Sequence, residues 1–252
     1  MYNRILFNKY ASESMVIPGI EETCAFLDRF KKCLFITTSN RVVHNDVDTE
    51  MPKSSQLAHV ISHKLKRCEA SIIDVSKLKI YICEGNISKA EGNNCGVKEA
   101  SLKDKDKNPD GNLRCWCSFN HKDDELWKIH KPMMDSDAIV FFTSIRWGQT
   151  NSVYQKLLER LSWIENRHTS LKEENIVSEK YAGVISCGHN FNGKETIELQ
   201  KKNMKYFGFK IDDRLFWSYQ YTNDSKDERL EGYIDDANKF EKLVQISVKK
   251  TD

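Results

Sequence analysis

Asp137-Ala138-Ile139-Val140-Phe141-Phe142-Thr143-Ser144-Ile145-Arg146-Trp147-Gly148-Gln149-Thr150 is the stretch that decides how this chain folds. An apolar run stops abruptly in Thr, Ser, Gly and Gln, with one Arg and one Trp among them. A helical pattern starts at Asn151. Such a run reads as a buried strand with a polar loop at its carboxyl end. In open α/β sheets, ligands sit outside the carboxyl ends of the strands. The segment therefore predicts a rim site for a planar ligand with polar edges.

The same alternation extends on both sides. Upstream, Ile20, Cys24, Leu27 and Phe30 recur at helical spacing behind Pro18-Gly19. Cys33-Leu34-Phe35-Ile36-Thr37-Thr38 reads as a first buried strand, followed by a polar stretch from Ser39 to Pro52. A helix with Leu57, Val60, Ile61 and Leu65 on one face leads to a second strand around Ile72-Ile73-Asp74-Val75, extending toward Ile80. Downstream of the third strand, 138–143, one helix carries Val153, Leu157, Leu161 and Ile164. A fourth strand covers 181–187, a helix 194–207 closes at Gly208, and a fifth strand covers 215–221. A last helix over 227–245 is apolar at Leu230, Ile234, Ala237, Phe240 and Val244. Strands alternating with helices argue for a parallel sheet covered on both faces. No internal repeat and no second hydrophobic core is visible.

Residues 83–125 break this rhythm. They hold Gly85, Gly92, Gly96 and Gly111, the turn signal Asn108-Pro109-Asp110-Gly111 and the charge run from Lys103 to Lys107. The plain reading is a long solvated insertion, and insertions this long are often functional. A short helix over 124–134 is expected to lead back to the sheet. The chain divides on this reading into a 1–31 amino-terminal extension with a short helix and a 32–252 main domain.

Bulk properties narrow the class. The 252 residues are 39% hydrophobic and 30% charged, enough for one substantial core. A net charge of +2 gives no field for nucleic acid or an acidic membrane. No apolar run reaches the roughly 20 residues of a membrane span. Met1 to Tyr10 lacks the apolar core of a signal peptide, so the expectation is a cytoplasmic protein. In that compartment the eight cysteines should be thiols or ligands rather than bridges.

Three loops at strand ends could carry chemistry. The first runs from Thr37 through Ser39 and Arg41 to Lys53, Ser54, Ser55 and Gln56, where a helix begins. Free backbone amides and the helix dipole make such a place an anion site, and hydroxyls and cations add to it. The plainer reading is that Ser54 only caps the helix. The loop is not Gly-rich, so neither a dinucleotide fingerprint nor a Walker loop fits. The second loop, 143–150, offers backbone amides for a ring edge and Trp147 for its face; alone, Trp147 reads more simply as a half-buried packing residue. The third, 187–193, has Gly188, His189 and Asn190, and its glycines let backbone approach a ligand closely.

In the order of these elements, the Ser-x-Arg loop, the Thr-Ser-x-x-Trp-Gly loop and the helix Tyr154-Gln155-Lys156-Leu157-Leu158-Glu159-Arg160-Leu161, the chain resembles the NAD(P)H-dependent FMN reductases. The resemblance covers roughly 33–245 and is sharpest over 137–161. It implies a flavodoxin-like fold: a doubly wound, five-stranded parallel sheet in three layers, with strand order 2-1-3-4-5. It implies FMN as cofactor and NADPH or NADH as co-substrate. Ser39, Arg41, Ser54, Ser55 and Gln56 match the phosphate loop. Thr143, Ser144, Ile145, Arg146, Trp147 and Gly148 match the loop beside the flavin ring. Ser144 stands where the family has proline and Arg146 where it has an aromatic, and Val42 to Met51 lengthens the phosphate loop. No catalytic side chain is expected, because the cofactor carries the chemistry.

The expected partners are a small-molecule electron acceptor and further copies of the chain in a homodimer or homotetramer. Alternatives are a flavodoxin-like electron carrier, against which the charge of +2 argues, and an iron–sulfur flavoprotein without nicotinamide-dependent activity. For the latter, Cys83, Cys95, Cys115 and Cys117 are the candidate ligands, with His121 as a further one. Cys115-Trp116-Cys117 is tighter than the usual spacing of two to four residues, and the expectation is no metal.

Overall fold

The computed structural model describes residues 17, 19–39, 51–188, 192–220, 240 and 242. Arg41, His189 and Asn190 lie outside them, as does most of the expected last helix; Phe240 and Lys242 are helical. Along the chain run α1 (Ile20–Leu27), β1 (Lys32–Thr37), α2 (Lys53–Lys64), β2 (Glu69–Asp74), α3 (Trp116–Asn120), α4 (Trp127–Asp135), β3 (Ala138–Arg146) and β4 (Gln149–Thr150). Then come α5 (Ser152–Arg160), α6 (Ser162–Thr169), β5 (Tyr181–Gly188), α7 (Gly193–Tyr206) and β6 (Lys210–Gln220).

The long strands lie in the order β2-β1-β3-β5-β6, all parallel, with β4 pairing only with β3. That is the flavodoxin-like 2-1-3-4-5 arrangement with one short strand added. In β3 and β5, consecutive residues are buried without alternation. Successive side chains point to opposite faces, so both faces are covered. Phe35 and Phe142 meet across β1 and β3, with ring centroids 5.1 Å apart. Each such fully buried apolar side chain contributes roughly 1.5–3 kcal/mol. Helix α1 joins the same core through Ile20, Phe26 and Leu27. Its Thr23 hydroxyl donates to Arg214 O at 2.7 Å and accepts from Trp217 Nε1 at 3.0 Å, fastening α1 to β6.

Several expectations are corrected. The third strand runs on to Arg146 instead of stopping at Thr143, because Ile145 and Arg146 find antiparallel partners in Thr150 and Gln149. The expected loop is therefore a hairpin. The fifth strand starts at Lys210, not Leu215. The helix after β4 is two helices, α5 and α6, that meet at Leu161. The helix expected over 124–134 begins at Trp127, because Asp124 is committed elsewhere.

The 83–125 insertion is also unlike a solvated loop. Leu113, Cys95, Cys115 and Cys117 are buried in the common core. Its organising contact is ionic. Asp124 pairs with Arg160 of α5 at 2.8 Å, and both side chains are fully buried. Arg160 also donates to Tyr81 O and Ser118 Oγ, while Asp124 accepts from Tyr81 N, Leu126 N and Ser118 Oγ. Burial alone would raise the Asp124 carboxyl, but the guanidinium beside it holds it below the usual carboxylate value. Both Asp124 oxygens accept from the guanidinium, as a buried charge requires, while Arg160 Nε is left without a hydrogen bond.

Candidate active site at the carboxyl rim of the sheet

Parallel strands put their carboxyl ends on one rim, so the ends of β1, β3 and β5 are brought together there. Just after β1, Thr38 N still bonds to Phe142 O of β3 at 3.0 Å. Thr38 and Ser39 are buried, and Ser39 Oγ lies 2.6 Å from Ser54 Oγ in the first turn of α2. Pro52 occupies the N-cap of α2 and makes no side-chain cap bond. Ser54 sits inside the helix rather than at its cap, which corrects the plainer reading of that residue. Ser55 is buried beside it, and Gln56 Nε2 donates to Met51 O at 2.7 Å. The first turn of α2 thus gathers hydroxyls at a positive dipole end.

One side chain ties this segment to the next. Asn151 Nδ2 lies 3.2 Å from Thr38 Oγ1, 3.4 Å from Ser39 Oγ, 3.0 Å from Thr143 Oγ1 and 3.1 Å from Ser144 Oγ. Its Oδ1 accepts from Tyr154 N at 3.0 Å and so caps α5. The amide is the hub of a neutral hydroxyl network spanning the ends of β1 and β3. The helical pattern was expected to start at Asn151, which is instead the N-cap, and its hub role left no signal in the sequence.

Beyond Ser144 the chain makes a two-residue turn. Trp147 and Gly148 have φ of 50° and 69°, the left-handed pair that a tight hairpin demands. Glycine suits the second position; tryptophan at the first is uncommon. Trp147 is 97% exposed, so it is not the half-buried packing residue of the plainer reading. Arg146 beside it is exposed as well. The turn is nonetheless anchored. Asn192 Nδ2 and Thr196 Oγ1, at the start of α7, each donate to Gly148 O at 2.8 Å.

The end of β5 lies at the same rim. Gly188 ends β5 beside Ile145, and a Cβ added to it would lie 2.8 Å from Ile145 Cβ. Only glycine permits this approach. Burial pushes the Cys187 thiol up to about 12, with Lys53 pulling the other way, so it is no nucleophile at neutral pH. Ser39, Ser54, Ser55, Thr143, Ser144, Ile145, Gly148 and Gly188 therefore share one rim, with Trp147 projecting from it.

Over residues 49–218 the sequence matches the family model described as NADPH-dependent FMN reductase. The chain belongs to the NADPH-dependent FMN reductase family. This family member is thus an NAD(P)H-dependent FMN reductase by class. No curated protein sequence matches it. Among solved structures it is similar to RosB with the bound intermediate 8-demethyl-8-formylriboflavin-5'-phosphate, at 15% identity and a TM-score of 0.54, over 87% of this chain and 76% of that one. It is similar to a flavone reductase at 13% identity and TM-score 0.47, over 87% of this chain and 62% of that one. It is similar to the azoreductase of Bacillus anthracis str. Sterne at 10% identity and TM-score 0.45, over 87% of this chain and 99% of that one. At these identities the first shows a shared fold, and the other two add no argument.

The cysteines of the insertion do not form one ligand set. Cys83 is half-buried, the other three are buried, and all are free thiols. Among the described residues, the His, Cys, Asp and Glu atoms that converge within 4.8 Å of one another belong to Glu84, Cys117 and His121. The same residues include no helix long and apolar enough to cross a membrane.

Proposed function

We propose that the protein binds FMN at this rim and reduces it with NADPH or NADH, the electrons passing on to a small-molecule acceptor. An FMN held there would supply the hydride-accepting and electron-transfer chemistry. The donor set fits the group. Ser39, Ser54 and Ser55 at the head of α2 suit a phosphate, whose charge the helix dipole favours. The segment from Thr143 to Gly148, with Gly188 beside it, would hold the ring system. Trp147, exposed at the hairpin tip, supplies an aromatic wall for flavin or nicotinamide. No side chain need donate or accept a proton. The protein's part is to hold two rings in contact and keep the hairpin fixed through Asn192 and Thr196. The observation that carries this reading is the Asn151 amide, which bonds to hydroxyls of both the phosphate segment and the ring segment.

The reading includes assembly as a homodimer or homotetramer, supported by the exposed apolar side chains of Trp147, Leu199 and Tyr206. Sedimentation of the purified chain as a monomer at micromolar concentration counts against that part.

The test is spectroscopic. The purified chain, loaded with FMN, should show protein-bound flavin absorbance that bleaches on adding NADPH or NADH and returns with an electron acceptor. Ser54→Asp places a like charge against the phosphate. Like charges in contact cost several kcal/mol, so FMN binding should weaken about a hundredfold or more. Unaltered FMN affinity in a folded Ser54→Asp protein would remove the phosphate site from this rim.

A further inference from the structure

The insertion brings together a donor set that the flavin site does not use. We infer that Glu84, Cys117 and His121 form a structural site for one zinc-class divalent cation. Their candidate ligand atoms all lie within 4.8 Å of one another. Cys117 and His121 are four residues apart, one turn of α3 and its C-cap, with His121 N bonded to Cys117 O at 3.0 Å. That spacing puts thiol and imidazole on one helical face. Glu84 faces them from the start of the insertion, its Oε1 3.6 Å from His121 Nε2. Zinc–ligand bonds of about 2.0–2.3 Å in a tetrahedron leave neighbouring ligand atoms roughly 3.3–3.8 Å apart. The pair is already at that separation.

The surroundings orient the ligands. Asn120 Nδ2 donates to both Glu84 oxygens, at 3.1 and 2.9 Å, and Asn86 Nδ2 adds a third bond at 3.2 Å. Tyr81 stacks on the His121 ring with centroids 4.1 Å apart and planes 14° from parallel. Metal ligands are commonly held by such supporting contacts. A thiolate, a carboxylate and a neutral imidazole carry two negative charges, which a divalent cation neutralises. The Cys117 thiol proton leaves to solvent as the sulfur–metal bond forms. Cys117 is buried, whereas Glu84 is exposed and His121 partly so. Water reaches the fourth coordination position from that side. Thiolate with imidazole and one carboxylate selects zinc-class ions over magnesium or calcium. The site would clamp α3 to the chain leaving β2, closing the insertion on itself.

Full-length protein stripped with a chelator and titrated with cobalt(II) reads this directly. The cobalt-minus-apo difference spectrum should show a thiolate-to-cobalt charge-transfer band that saturates at one equivalent and disappears on adding zinc. Cys117→Ser and His121→Asn should lose the band, while Cys95→Ser, a buried thiol outside the set, should keep it. Glu84→Gln, on an exposed residue that leaves the fold intact, should weaken zinc binding, and Asn120→Ala should weaken it by roughly 10–100-fold. Zinc should also raise the thermal midpoint of the wild-type chain and not of Glu84→Gln. A wild-type chain without the band at one equivalent, or a band that survives Cys117→Ser and vanishes in Cys95→Ser, overturns the assignment.

Discussion

The rim of the sheet and the insertion beside it are held by opposite chemistries. At the rim, one neutral amide gathers four hydroxyls, and the side chains around it are short. In the insertion, a fully buried Arg160–Asp124 pair anchors the chain. Neutral hydrogen bonds are each worth about 1 kcal/mol net and can be exchanged for a ligand's. A buried ion pair cannot be half removed without leaving a bare charge in the core. The rim is therefore built to exchange partners, and the insertion is built to stay closed.

Removing half of the ion pair tests this contrast most severely. Asp124→Ala strands the Arg160 guanidinium, and unfolding by denaturant should show a loss of about 3–5 kcal/mol. Asp124→Leu with Arg160→Met should cost much less, because no charge is left behind. The FMN affinity of whatever fraction folds should be preserved. A loss under about 1 kcal/mol in Asp124→Ala would mean that water reaches the pair and that the insertion is not closed.

Asn151→Leu attacks the rim in the same manner. It removes two N–H donors shared among four hydroxyls and the acceptor of the Tyr154 amide, at about 1–3 kcal/mol for buried groups so orphaned. Unlike the insertion variant, it should also weaken FMN binding about tenfold, or about 1.4 kcal/mol. Denaturant titration and flavin fluorescence separate the two losses. Equal stability loss with unchanged FMN affinity would make Asn151 a helix cap and nothing more.

How far each region was legible follows from the same difference. Strands β1, β3 and β5 announce themselves because both faces are covered and their apolar runs are continuous. The start of β6 was hidden: Lys210-Ile211-Asp212-Asp213-Arg214 reads as a charged turn, yet it is an edge strand in which Asp212 pairs with Arg214 at 2.7 Å. The extension of β3 was hidden because its partner β4 is two residues long. Ser39, Ser54, Thr143 and Gly188 could be placed on one rim from strand order alone. The insertion could not be read, since its order rests on pairings such as Arg160 with Asp124 that leave no period in the sequence. Its turn signal at 108–111 and the close cysteines 115 and 117 were visible in the sequence, but the approach of Glu84 to Cys117 and His121 left no local signal.

A pH titration probes the core beside the insertion by a gentler route. His130 is buried against Trp163, with Asp110 Oδ1 3.7 Å from its Nε2. Burial lowers its affinity for a proton, and Asp110 opposes this only in part. The folded protein therefore resists a proton that the unfolded chain accepts below about 6.5. Stability linked to His130 is complete above that pH and falls as the pH drops below it. The thermal midpoint should decline from pH 6.5 downward, and His130→Phe should flatten that decline. Some slope should remain, because burial shifts His59 in the same direction. The Asp124 contribution is lost only below the carboxylate range, near pH 4 and under. An identical slope in wild type and His130→Phe would mean that His130 does not set the pH dependence of the fold.

The smallest effect on stability should come from the most conspicuous side chain. Trp147 is 97% exposed and sits at a strained φ of 50°. Replacing it with alanine removes almost no buried surface, so stability should move by no more than about 0.5 kcal/mol. Trp147→Gly should even stabilise the fold by a few tenths to about 1 kcal/mol, since glycine adopts that φ freely. A protein that keeps an aromatic at a position favouring glycine keeps it for a ligand or a neighbour. Both variants should accordingly retain the FMN phosphate contact while raising the KM for nicotinamide several-fold. Asn151→Leu should lose flavin first, and Trp147→Ala should lose only the second ring. Unchanged steady-state kinetics in a Trp147→Gly protein of higher midpoint would leave the strain at the hairpin tip without a function in ring binding and would assign the aromatic to contact between subunits.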